Sequence, residues 1–153
     1  MDYSTFHENF ETVWQHPRIQ KKLSTTWSIF NTFDFEEIFN KWEEVSLRQD
    51  DRFVVNHGLV YYPNYFGLRY LEKEQKEEIV DRVNDFYYKN KDYKLFKTNH
   101  EFVQGLLSIK EFMGGKYEDH DAVCRERTRV LRMYDTVRGT DYKSLFPFIK
   151  DYE

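Results

Sequence analysis

Cysteine, glycine and proline are all scarce in this chain of 153 residues. It contains one cysteine, Cys124, together with six glycines and three prolines. A single cysteine excludes an internal disulfide and any cysteine cluster for zinc or iron–sulfur. So few glycines and prolines argue against a loop-rich or low-complexity chain. No apolar run approaches the roughly 20 residues of a membrane span, and the polar N-terminus is unlike a signal peptide, so we expect a cytoplasmic protein.

An excess of charge of one sign is also lacking. Charged residues make up 33% of the chain, but the formal net charge is only -4. A general nucleic-acid or acidic-lipid binder is therefore disfavoured. Aromatic residues, in contrast, are abundant at 19%, and 40% of all residues are hydrophobic. This content is sufficient for a buried core, and the length suits one domain, residues 1–153.

Two stretches predict β-strands. Residues 53–62 are rich in β-branched and aromatic side chains, and Gly58 interrupts them as a bulge would. In residues 23–30, apolar or β-branched side chains occupy every second position, which predicts a strand with one buried face. A further short extended piece is predicted over 66–71.

Helical spacing of apolar residues predicts helices over much of the rest. One lies at the N-terminus and ends near His16, and another follows Asp34, which forms a variant capping box with Glu37. Others are predicted over 72–88, 99–113 and 119–137, and Asp141 is predicted to cap a short last turn. The predicted fold class is α/β to α+β: a small strand–helix–strand sheet in residues 1–71, followed by a helical part in residues 72–153.

Several residues are candidates for chemistry. Asn31 follows the first strand at its carboxyl end, where parallel α/β sheets bind ligands, although a turn asparagine would look the same. His57 lies within the second strand, and it is either an acid–base group facing a pocket or a satisfied, partly buried side chain. His120 and Cys124, four residues apart, make either half of a metal site or an incidental pair on a helix.

A possible basic patch lies on the predicted helix over 119–137. Arg125, Arg129 and Arg132 share one face of that helix. They offer a contact for phosphate or RNA. The alternative is a solvated face that pairs with the acidic helix over 72–81, and nucleic acid is the less expected partner.

Three stretches, taken in order, resemble one family. The first is STTWSIFNTFDFEEI at 24–38, the second is LVYYPNYFGLRYL at 59–71 with a Glu/Lys-rich helix after it, and the third is MYDTVRGTDY at 133–142, followed by LFP. Together they resemble the C-terminal part of the twitch-domain-containing radical S-adenosylmethionine (radical SAM) proteins, many of them phage-encoded. The Asp-x-x-Arg-Gly-Thr ending is the most characteristic piece, and the resemblance covers about residues 23–147.

This resemblance implies that residues 1–71 are the late part of a partial (β/α) barrel and that Asn31 faces the cofactor side. The family binds a [4Fe–4S] cluster through Cys-x-x-x-Cys-x-x-Cys, a motif that this chain lacks. The expected function is that of a truncated or split radical SAM enzyme that is not catalytic alone. No cofactor is expected in this chain alone, and S-adenosylmethionine and the cluster would require a cluster-bearing partner polypeptide.

Two other classes of function remain open. A stand-alone protein-interaction module would reuse the same piece of fold and form a homodimer through an exposed sheet edge. A small RNA-binding protein would use the arginines of the basic patch and would show salt-dependent binding. A split enzyme instead predicts an apolar sheet edge that missing barrel strands would cover.

Overall fold

A computed structural model describes residues 21–47, 53–113 and 119–153 of the chain. It also describes six positions nearer the N-terminus, namely Thr5, Glu8, Asn9, Thr12, Val13 and His16. The predicted N-terminal helix therefore lies largely outside the described residues.

Within these residues, the sheet consists of two parallel strands, β1 (Lys21–Trp27) and β2 (Phe53–Leu59), and helix α1 (Phe35–Leu47) lies between them in the chain. This arrangement confirms the predicted strand–helix–strand order. The register runs without interruption from Lys21 opposite Phe53 to Trp27 opposite Leu59. Gly58 pairs with Thr26 within this regular ladder, so the predicted bulge is wrong.

Both strands end earlier than predicted, β1 because the chain turns directly after it and β2 because its pairing with β1 ends at Trp27. After β1, a 3₁₀ turn at Thr32–Asp34 leads directly into α1, so Asp34 lies inside a turn and the predicted capping box is wrong. The extended piece predicted over 66–71 is also wrong. That segment lies in two 3₁₀ turns, Asn64–Phe66 and Leu68–Tyr70. Each turn is closed by a hydrogen bond between backbone groups three residues apart.

The C-terminal part is helical, as predicted. Its helices are α2 (Lys73–Asn90), α3 (Lys94–Thr98), α4 (His100–Met113), α5 (His120–Arg138) and α6 (Tyr142–Leu145). The helices predicted over 72–88, 99–113 and 119–137 are thus confirmed with small shifts at their ends. Gly139 ends α5 with a φ of 65°, a left-handed conformation that glycine adopts without a steric penalty. The carboxylate of Asp141 accepts a hydrogen bond from the Lys143 N–H and caps α6, as expected.

The core lies between one face of the sheet and the helices α1 and α4. The rings of Trp27 and Phe39 stack with their centroids 5.7 Å apart, and Phe102 of α4 contacts Phe39 with centroids 4.5 Å apart. Side chains that are fully buried in this core include Trp27, Phe35, Phe39, Val55, Phe102 and Leu106. These contacts join both helices to the same side of the two strands.

Candidate functional site

The opposite face of the sheet is polar and exposed, and we call it the open face. It carries Lys22, Ser24 and Thr26 of β1, opposite Val54, Asn56 and Gly58 of β2. The three β1 residues and Gly58 are exposed, and Val54 and Asn56 are half-buried. Parallel sheets are usually buried on both faces and carry apolar side chains on each. A polar, exposed face on a parallel pair is therefore a candidate functional surface.

A chain of polar side chains crosses the open face. With its amide oriented to pair both of its polar atoms, Asn56 donates from its nitrogen to a carboxylate oxygen of Glu101. Its amide oxygen then accepts a hydrogen bond from the ammonium group of Lys22. Glu101 belongs to α4, so this chain connects that helix to both strands. It also places one negative and one positive group beside the same amide.

A cavity of about 460 Å³ lies beside the open face, between β2 and α4. Its polar lining residues include Asn56, His57, Glu101, Gln104 and Ser108, and Gly58 and Gly105 also contribute. Small-molecule sites typically have volumes of about 300–1,000 Å³. The cavity therefore has the size of a ligand site, and its walls supply amides, a carboxylate and a hydroxyl.

His57 lines this cavity but belongs to the aromatic core. The indole N–H of Trp27 donates to His57 Nδ1 at 3.0 Å, so the neutral ring carries its proton on Nε2. Within the described part of the chain, the buried Nε2 has no hydrogen-bond partner. Burial lowers the pKa of His57 to about 4, and the ring is therefore neutral at pH 7. His57 thus matches each interpretation in part: it lines a pocket, and its ring is partly buried and neutral, but among the described residues its Nε2 is not satisfied.

Asn31 organises the turn that follows β1. Its Oδ1 accepts hydrogen bonds from the backbone N–H of Ser28 at 2.9 Å and from the Ser28 hydroxyl at 3.2 Å. Its Nδ2 donates to the carbonyl oxygen of Thr26 at 3.1 Å. These are the contacts of a turn asparagine. That Asn31 faces the cofactor side stays a prediction.

The three arginines of the predicted basic patch lie on α5. Arg129 pairs with Glu126 of the same helix at 2.6 Å, and Arg132 pairs with Asp151 of the C-terminal tail at 3.1 Å. Arg125 is exposed. The carboxylates that pair with this patch therefore lie in α5 and in the tail, rather than in the acidic stretch 72–81.

Cys124 and His120 lie close together on α5, but within the described residues they are not joined by further potential metal ligands. The Sγ of Cys124 lies 3.7 Å from His120 Nδ1 and 3.7 Å from the carbonyl oxygen of Tyr70. Burial raises the pKa of the Cys124 thiol, whereas metal ligation requires the thiolate. In the described segments, no three His, Cys, Asp or Glu side chains come together as ligands for a metal ion. The residues present therefore do not fit an iron–sulfur cluster.

Comparison of the chain with protein-family models, with curated proteins and with solved structures finds no match. Among residues 21–47, 53–113 and 119–153, no helix combines the length and the apolar character that crossing a bilayer requires. The open face and the adjacent cavity are therefore the structural features from which a function can be argued.

Ser24, Thr26, Asn56 and Glu101 were not predicted from the sequence as site residues. For β1 a signal was present, because small polar side chains at alternate positions share the face opposite Trp27. The contact between Asn56 and Glu101 had no such signal. It depends on how α4 packs beside β2, and the two residues lie far apart in the sequence.

Proposed function

We propose that this chain is the late strand–helix–strand part of a radical SAM-type partial barrel, joined to its helical C-terminal region. In the assembled enzyme, the open face forms one wall of a chamber for S-adenosylmethionine. The cysteines that bind the cluster lie outside these 153 residues, and the chain alone is not catalytic. The three sequence motifs described above support this assignment.

One structural observation carries the proposal, namely the division of the sheet into an apolar face and a polar face. In a (β/α) barrel, each strand turns one face toward the surrounding helices and the other toward the barrel interior. Here Trp27 and Val55 face α1 and α4, whereas Ser24 and Thr26 lie on the opposite face. A barrel interior that is simply packed carries bulky branched side chains. Small polar side chains instead suit an interior that holds a polar ligand.

The open face offers groups for binding and orienting such a ligand. The hydroxyls of Ser24 and Thr26 and the amide of Asn56 would hold its polar groups, and Gly58 would leave room for it. Since the residues present do not fit a cluster, we assign no step of the cluster chemistry to this chain. Its role in the proposed enzyme is to complete and shape the chamber.

The test is assembly with a separate polypeptide that carries the Cys-x-x-x-Cys-x-x-Cys motif and the earlier strands of such a barrel. We expect gel filtration to show a complex of the two chains. After anaerobic reconstitution with iron and sulfide, we expect visible absorption from the complex and none from this chain alone. Thr26→Lys should weaken binding of S-adenosylmethionine by the reconstituted complex about tenfold or more, because it places a long charged side chain inside the chamber.

A matched control is Thr136→Lys, which changes an exposed threonine on α5 and should assemble and bind S-adenosylmethionine like the parent chain. Unimpaired binding of S-adenosylmethionine by the Thr26→Lys complex would contradict the proposed position of the open face. Absorption from this chain alone would contradict the absence of a cluster site. A complex that shows no absorption would instead support a protein-interaction module.

A further inference from the structure

A second cavity, of about 260 Å³, lies between α5, α6 and the turns that follow the two strands. We call it the aromatic groove, and its apolar lining consists of Phe30, Phe66, Leu131, Tyr134, Leu145 and Phe146. The Phe30 ring lies between those of Phe66 and Phe146, with both centroid distances at 4.8 Å. The groove therefore has an aromatic floor built from three separate segments of the chain.

The rim of the aromatic groove is apolar and accessible. Leu145 is 60% exposed, and Tyr134 is 37% exposed. Met133 and Val137 of α5 are also exposed, although they are not part of the groove lining. Exposed apolar side chains at the rim of a concave site are typical of ligand grooves. The apolar part of a ligand would therefore gain favourable burial here.

Arg138 is the cationic residue that lines the groove. Its guanidinium lies over the Tyr134 ring, 5.0 Å from the centroid. In the part of the chain that the structure describes, no carboxylate forms an ion pair with Arg138, in contrast to the paired Arg129 and Arg132. A guanidinium stacked on a ring keeps N–H donors at its edge, in a geometry that matches a carboxylate.

Asp135, the carboxylate that lines the groove, is already engaged. It accepts hydrogen bonds from the Tyr142 N–H at 2.9 and 3.0 Å and from the Thr140 hydroxyl at 2.8 Å. Gly139 donates from its N–H to the carbonyl oxygen of Asp135 at 2.8 Å. These bonds account for the Asp, Gly and Thr of the Asp-x-x-Arg-Gly-Thr motif, since they build the turn between α5 and α6. The arginine of the motif takes no part in that turn.

From this geometry we propose that the aromatic groove binds a small carboxylic acid with an aromatic body. The carboxylate of the ligand pairs with Arg138, and its ring lies against Phe30, Phe66 and Leu145. Among the described residues that line the groove, Arg138 is a cation with no ion pair, and together with the aromatic floor it fixes both the position and the orientation of such a molecule. This site is separate from the open face and does not depend on the function proposed for it.

Three probes with the same ring and different charge test the site by isothermal titration calorimetry. They are 2-naphthoate, 2-naphthalenemethanol and 2-naphthylmethylamine. We expect 2-naphthoate to bind roughly ten- to a hundredfold more tightly than the alcohol, because it adds a charge-assisted hydrogen bond. The amine should bind most weakly. Arg138→Gln should remove most of the advantage of 2-naphthoate and leave the affinity for the alcohol unchanged.

Two further variants distinguish a specific loss of binding from a general effect of mutation on the fold. Arg125→Gln changes an exposed arginine of the same helix outside the groove lining and should leave all three affinities unchanged. Leu145→Ser removes an apolar wall and should weaken both 2-naphthoate and the alcohol. Equal affinity for the three probes, tighter binding of the amine, or an Arg138→Gln protein that still prefers 2-naphthoate would each overturn the proposal. Failure of 2-naphthoate to bind would overturn it as well.

Discussion

The two faces of the sheet differ sharply, although alternate residues of the same two strands form both. On the helix-facing side, Trp27 and Val55 are fully buried, and the ring of Trp27 stacks on that of His57. On the open face, Ser24 and Thr26 are exposed. A register shift of one residue would exchange the two sets. The difference indicates that one face is constrained by packing, whereas the other is free to serve a ligand or a partner.

The largest expected effect is that of Gly105→Ala on the packed side. Gly105 is buried in α4, and a Cβ there would lie 1.8 Å from the Cδ2 of His57. In an exposed helix this change is stabilising by about 1 kcal/mol. Here the His57 ring or the helix must move, so we expect the free energy of unfolding to fall by about 3 kcal/mol. Urea denaturation measures this change.

Gly58→Ala on the open face is the matched control. A Cβ at Gly58 would lie 3.5 Å from Thr26 Oγ1, which is an ordinary contact. We expect this variant to change the free energy of unfolding by less than about 1 kcal/mol. Equal effects of the two alanine substitutions would contradict the claim that the helix-facing side is more tightly packed than the open face.

The next effect is the pH dependence that His57 confers on stability. Burial lowers its pKa to about 4 in the folded chain, against about 6.5 when unfolded. As the pH falls, the unfolded state therefore binds the proton first. The stability linked to the neutral ring is complete above about pH 6.5 and is lost progressively down to about pH 4. At about 1.4 kcal/mol per pKa unit, the loss amounts to about 3 kcal/mol.

Urea denaturation between pH 7 and pH 4 measures this loss. In His57→Gln, the part of the pH dependence due to His57 should disappear, whatever the absolute stability of the variant. His100→Gln, which changes an exposed histidine, should retain the parent's dependence. If His57→Gln kept the same slope, His57 would not be the group that titrates in this window.

The smallest effect is expected for Ser24→Lys on the open face. An exposed side chain on the uncovered side of β1 has little packing to lose, so the free energy of unfolding should change by less than about 0.5 kcal/mol. Thermal or urea unfolding of the isolated chain checks this. A loss above about 1 kcal/mol would mean that the face is covered when the chain is alone in solution.

The sequence by itself determined the kind and order of the two strands and of the longer helices. Alternation in β1 predicted its buried side, and helical spacing predicted α2, α4 and α5, because each pattern reports the environment along one element. Local chemistry likewise predicted the cap of α6 by Asp141, since this contact joins residues close in the chain.

Only the tertiary structure decided the contacts between distant elements. The histidine at 57 became a core side chain because Trp27 offers its N–H and Gly105 leaves space for the ring. The regular register at Gly58 and the link between Asn56 and Glu101 depend in the same way on how β1, β2 and α4 pack. A pattern within one segment carries no information about which residue of another segment will lie opposite it. The aromatic groove, whose lining comes from separate turns and helices, could therefore be recognised only once those elements were packed together.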